Sequence, residues 1–150
     1  PKVSPTKIDK TIMRHYPGIA GIRTAAVELS KSSSRALPSI VSLKHLADTI
    51  DLPFLRSWVQ SLKRVGIQSR SLWTNEQTNP DYDTGLRKMR LLPSDMKFPG
   101  GIVIESNKVM FFTADKSPSA ITIENAAIAN MMQSIHDQLW KISSEPKRLQ

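Results

Sequence analysis

The sequence contains no cysteine among its 150 residues. Disulfide staples and thiolate metal sites are therefore excluded. No apolar run approaches the ~20 residues that cross a bilayer as a helix, and no secretory leader pattern opens the chain. A cytoplasmic protein without a membrane partner is the expectation. Histidine is scarce. His15, His45 and His136 lie in separate segments, and none has the spacing of a metal-binding pair. Each reads as an ordinary surface or packed histidine, and no cofactor is expected. No nucleophile elbow, phosphate-binding loop or dinucleotide fingerprint occurs. Gly100-Gly101 stands alone before an apolar run and reads as a tight turn.

What is present fits a globular domain. Hydrophobic residues make up 39% and charged residues 23%, and a chain of this length buries enough surface for its own core. The formal net charge is +8, but the surplus is uneven. Residues 1–35 carry a net +5 and residues 141–150 a net +2, leaving +1 for the middle of the chain. A nucleic-acid surface concentrates basic charge on one folded face. Charge gathered at the ends fits solvated tails and helix faces better. The chain starts at Pro1, which suggests a fragment of a longer protein.

Residues 1–13 are polar, basic and interrupted by Pro1 and Pro5, and read as a linker. After Gly18, the spacing of Ile19, Ile22, Ala26 and Leu29 predicts an amphipathic helix. Leu37 to Leu43 reads as a strand. Asp51 caps a helix with Pro53 near its first turn and Phe54, Leu55, Trp58, Val59, Leu62 and Val65 on its apolar face. Lys63 and Arg64 suit the negative end of its dipole, and Gly66 stops it. Ile67 to Trp73 is the next strand. Residues 74–85 are a loop by composition. Leu86 to Leu92 forms a strand that Pro93 ends, and residues 93–101 form a second loop.

Two apolar runs, Ile102 to Ile104 and Val109 to Phe112, flank Ser106-Asn107 and predict a hairpin, with Asn107 suited to positive φ. Ala120 to Ile123 is a last strand. Glu124 or Asn125 opens a final helix whose buried stripe is expected at Ile128, Met131, Met132, Ile135 and Leu139. Helices and strands in this order argue for an α/β layered domain.

The basic group Arg87, Lys88 and Arg90 could meet an anion or a sugar hydroxyl. An exposed strand face, or an ion pair with the nearby acidic loop, is the simpler explanation.

Several short stretches together carry a resemblance. They are Tyr16-Pro17-Gly18-Ile19 with Gly21-Ile22-Arg23, Lys63 to Ile67 with Arg70, and Arg87 and Arg90 before Leu92-Pro93. The Ile102 to Phe112 hairpin and Ile121 to Asn125 leading to Leu139-Trp140 complete the set. This pattern resembles the effector domain of TrmB-like transcription regulators, a degenerate relative of the phospholipase D fold. The resemblance implies an α/β layered sandwich with a mixed β-sheet flanked by helices. It implies a regulatory domain at residues 14–142, followed by a flexible tail at 143–150. Catalytic relatives carry His-x-Lys, four residues and then Asp, followed by a Gly-Ser pair and an Asn. Here Phe98 to Gly101, Glu105 or Ser106, and Ala114-Asp115 stand in those regions. The expectation is therefore a domain without enzyme activity.

The resemblance further implies a homodimer, a sugar or other polar metabolite as effector, and DNA contact through an upstream winged helix outside this chain. Arg70, Arg90 and Glu105 are the expected ligand-binding residues, near the former catalytic cleft. Three alternatives stand beside this reading: a basic nucleic-acid-binding module, a phosphodiesterase working through His45 or His136, and a dimerisation domain with no ligand.

Overall fold

The structure is a computed structural model and describes residues 7–8, 10–32, 34–75 and 87–146. Strands β1 (Lys7–Ile8) and β2 (Thr11–Pro17) lead into helix α1 (Gly18–Ser30). Strand β3 (Ser39–Val41) precedes two helices, α2 (Leu43–Thr49) and α3 (Leu52–Arg64). Strands β4 (Ser69–Trp73), β5 (Arg87–Leu91), β6 (Gly100–Glu105), β7 (Lys108–Thr113) and β8 (Ser119–Glu124) follow, and helix α4 (Ala126–Ile142) comes last. All eight strands form one mixed sheet in the order β1-β2-β8-β7-β6-β3-β4-β5. The pairs β3–β4 and β4–β5 are parallel, and the others are antiparallel.

Local chemistry accounts for the helix ends. The Asp51 carboxylate accepts from the Phe54 amide at 2.7 Å, and Gly66 takes φ 73 beyond the last turn of α3. Asn125 accepts from the Ile128 amide at 3.0 Å and opens α4. At the β2–α1 corner, Gly18 has φ 72, and a Cβ on Gly21 would strike the Tyr16 backbone. Tyr16-Pro17-Gly18 with Gly21 is thus a corner that larger residues cannot turn.

Helices α1 and α3 cover one face of the sheet. Ile22, Leu29, Leu55 and Leu62 pack there against Trp73, Val103, Met110 and Phe112. Each such side chain contributes about 1.5–3 kcal/mol when fully buried. Among the described residues, α4 is the one helix on the other face. Its core is smaller: Ile40, Leu72 and Leu92, with Met96, Phe98, Ile102, Leu139 and Trp140 packed around them.

Several expectations change. Thr11 to Met13 belong to β2 and pair with β8, so the segment read as a linker contributes a strand to the sheet. Gly100 and Gly101 are strand residues, not a turn. A Cβ on Gly101 would lie 2.7 Å from the Ile40 carbonyl oxygen and 2.6 Å from the Phe112 ring. In the hairpin the positive φ falls on Ser106, at 45, instead of Asn107. The most buried residues of α4 are Ala129 and His136, whereas Met131 and Ile135 are 64% and 47% exposed. Ser143 is buried against Arg90, so the tail begins later than residue 143. The loop at 76–85, Leu86 and the tail at 147–150 lie outside the described residues, as does the Arg87 side chain.

Candidate functional site

Parallel pairing of β4 and β5 sets Arg70 beside Lys88 and Leu72 beside Arg90. Paired residues share a face, and alternate residues repeat it. Arg70, Leu72, Lys88 and Arg90 therefore all project on the α4 side. Trp140, in the last turns of α4, meets them there. The Arg70 and Arg90 guanidinium carbons each lie 5.6 Å from its ring centroid, within cation–π range. His136, one turn earlier, stacks on Trp140 at 6.0 Å with an interplanar angle of 20°.

His136 is 1% exposed. Its Nε2 lies 3.0 Å from the Arg70 carbonyl oxygen. A carbonyl can only accept, so Nε2 carries the proton and Nδ1 has the lone pair. Nδ1 is buried without a hydrogen-bond partner, and the nearest Asp137 oxygen is 4.0 Å away. Burial pushes the His136 pKa below its ordinary value, against the weaker pull of the Arg70 carbonyl and the Asp137 charge.

Arg90 is already engaged. Its Nε donates to Ser143 Oγ at 2.7 Å, a terminal nitrogen donates to the Ser143 carbonyl, and Glu145 lies 3.7 Å away. Together with the Leu91–Ser144 bridge, these bonds tie the chain beyond α4 to β5. Lys88 and Arg90 also charge the edge strand, which discourages another chain from pairing with it. Of the two arginines at Trp140, Arg70 is the exposed one.

Glu105 is elsewhere. It alternates with Val103, so it projects toward the α1/α3 side, at the β6–β7 turn. Lys108 sits 3.7 Å away, and the Oε2 atom is buried with no hydrogen bond. The structure thus brings Arg70 and Arg90 together around Trp140 and leaves Glu105 apart from them.

Sequence reading missed a second grouping. Ser42 caps α2, and its Oγ lies 2.7 Å from His45 Nδ1. The Ser42 amide donates to the Gly100 carbonyl at 2.9 Å. The pair therefore stands beside the Phe98 to Gly101 segment. Phe98 itself is packed into the core beneath α4 with Leu92 and Trp140. The available signal was the three-residue spacing that puts Ser42 at the cap and His45 in the first turn of a short helix. Among the described residues, no group of three or more His, Cys, Asp or Glu could hold a metal, and no helix is long and apolar enough to cross a membrane.

No family model matches the chain, and no curated protein matches it. Solved structures do. TrmBL2, an archaeal chromatin protein with a novel mode of DNA binding, is similar with a TM-score of 0.65 at 13% identity. The match covers 95% of this chain and 57% of that one, so the chain spans little more than half of that protein. Nuc from Salmonella typhimurium, a phospholipase D family member, gives a TM-score of 0.66 at 13% identity, covering 91% of this chain and 99% of that one. Phosphatidylserine synthase from Haemophilus influenzae gives 0.61 at 11% identity, covering 85% and 37%. The fold is phospholipase D-like. These likenesses also correct the expectation of a domain without enzyme activity. A phosphatidylserine synthase has a similar fold, so the fold gives no ground for excluding an enzyme.

Proposed function

Taking the phospholipase D-like fold as premise, we propose that this chain is the effector-sensing and pairing domain of a transcription regulator, acting on an upstream winged helix that lies outside it. The observation that carries the reading is the likeness to a DNA-binding chromatin protein over 95% of this chain. A polar effector would meet Arg70 and Trp140 at the C-terminal end of α4. The exposed guanidinium recognises an anionic group, and the indole supplies a flat apolar face.

Pairing is supported by the α4 side of the sheet. Met13 and Ile121 are 44% and 39% exposed there, and Met131 and Ile135 on α4 are also exposed. Pairing registers put Ile102, Phe111 and Ile121 on one face, so the uncovered part of β2 and β8 lies on the same side as α4. Apolar surface grouped in this way is a common mark of an interface. Light scattering on the chain, alone and with a short DNA duplex, tests the reading. A dimer that ignores the duplex is expected. A complex that dissolves steeply as salt rises would point to a nucleic-acid module instead.

The second reading is a phosphodiesterase, favoured by the Ser42–His45 pair beside Gly100. Ser42 would hold the imidazole through Nδ1, leaving Nε2 for proton transfer or attack. Hydrolysis of bis(p-nitrophenyl) phosphate that is lost in His45→Ala and kept in His136→Gln would establish it.

A further inference from the structure

We infer that the protein carries a second, buried ligand site between the α1/α3 layer and the sheet, shaped for a small neutral molecule with an apolar body and one hydrogen-bond acceptor. The site lies across the sheet from Arg70 and Trp140. It goes beyond the sensing reading and does not depend on it.

The core on this side encloses a cavity of about 60 Å³. A water needs about 10–15 Å³ of such space, so a molecule of several heavy atoms fits. Leu29, Leu62, Val103, Met110 and Phe112 are among its walls, and among the described residues no charged or histidine side chain lines it. An ion would enter with nothing to offset its lost hydration, so only neutral ligands qualify.

The sheet supplies a polar floor. Ser39 on β3 and Ser69 and Ser71 on β4 line the cavity, and they are 6%, 9% and 0% exposed; Ser39 and Ser71 form the pair at its floor. Parallel pairing places them side by side, with their Oγ atoms 2.7 Å apart. Trp73 Nε1 donates to Ser71 Oγ at 2.7 Å. The proton count follows. Two hydroxyls share one hydrogen bond, so one uses its proton on the other and the second keeps a proton for another acceptor. Ser71 already accepts from Trp73, so the spare proton belongs to whichever serine is not donating across the pair. A buried donor of this kind costs free energy until an acceptor meets it. Water fits poorly, because it needs two to four polar partners and the walls are apolar. A ligand whose carbonyl or ether oxygen meets the serine pair, and whose hydrocarbon fills the rest, satisfies both halves. Half-buried Leu46, Phe54 and Trp58 line the cavity on the helix side and would move to admit it.

Cyclopentanone and cyclopentane are matched probes, and methyl NMR reads where they bind. Both are expected to shift the methyl signals of Leu29, Leu62 and Val103 at millimolar concentration. Ser39→Ala/Ser71→Ala should weaken cyclopentanone severalfold and leave cyclopentane as tight or tighter. Ala26→Leu, which fills the cavity from α1, should weaken both, and Val59→Leu serves if that variant does not fold. Failure of either probe to shift these methyls would overturn the inference. So would binding undiminished in the filled variant, or equal loss of both probes in the serine variant. None of these results bears on pairing or on DNA.

Discussion

The two faces of the sheet are built by different rules. On one, helices α1 and α3 close over a broad apolar core with Trp73, Phe112 and Met110 at its centre. On the other, α4 alone crosses the sheet, resting on a smaller core and leaving Met13 and Ile121 open beside it. The covered face has packing to lose and a cavity to fill. The partly covered face has charge and aromatic surface to offer, and its fixed points are polar: Arg90 on Ser143, and His136 on the Arg70 carbonyl. In this fold, most of the apolar packing lies on one side of the sheet, and the exposed apolar and basic side chains gather on the other.

Substitutions of decreasing effect sharpen that contrast. Trp73→Ala, in the covered core, should cost about 3–5 kcal/mol in chemical denaturation. Ile135→Ala, on the open face, should stay within about 0.5 kcal/mol in the isolated monomer. Comparable losses at the two positions would break the comparison. Arg90→Ala releases the Ser143 contacts and should cost about 1–3 kcal/mol. Proteolysis should then cut more readily after residue 142. Asn125→Ala removes the cap of α4 and should cost about 1 kcal/mol.

The smallest effect is one of pH. Burial lowers the folded pKa of His136 from its ordinary 6.5. Above pH 6.5 the group is neutral in both states and favours neither. As pH falls through 6.5, the unfolded chain takes up a proton that the folded chain refuses, so stability declines until the lowered folded pKa is reached. His136→Gln should flatten this acid limb as pH falls below about 6.5 in thermal melts. An unchanged limb would assign it to other groups.

The covered face was largely legible in the sequence. Asp51, Pro53 and Gly66 bracket α3, and its apolar spacing names Leu55, Val59 and Leu62, with Phe54 and Trp58 half-buried, but Val65 beyond the last turn is 47% exposed. The hairpin was legible because two apolar runs flank two polar residues, although Ser106, not Asn107, makes the turn. Short α2 was not, because seven residues give no period to read. The face of α4 was misjudged because its apolar residues outnumber those that the sheet can cover. Met131 and Ile135 look like core residues in sequence, and only the position of α4 across the sheet shows that Ala129 and His136 are buried instead. The candidate site was legible as a list of arginines and not as a place. Arg70 and Arg90 are 20 positions apart, and only the parallel β4–β5 register joins them. The same register, carried on to β3 and β6, puts Glu105 on the opposite face.

The most direct test of this division is light scattering of the chain beside the double variant Met131→Glu/Ile135→Glu, with a melting curve for each. The account predicts that the native chain is a dimer and that the variant is a monomer still melting cooperatively, because the covered face holds the fold. A native chain that stays monomeric at high concentration, or a variant that remains dimeric, would contradict it.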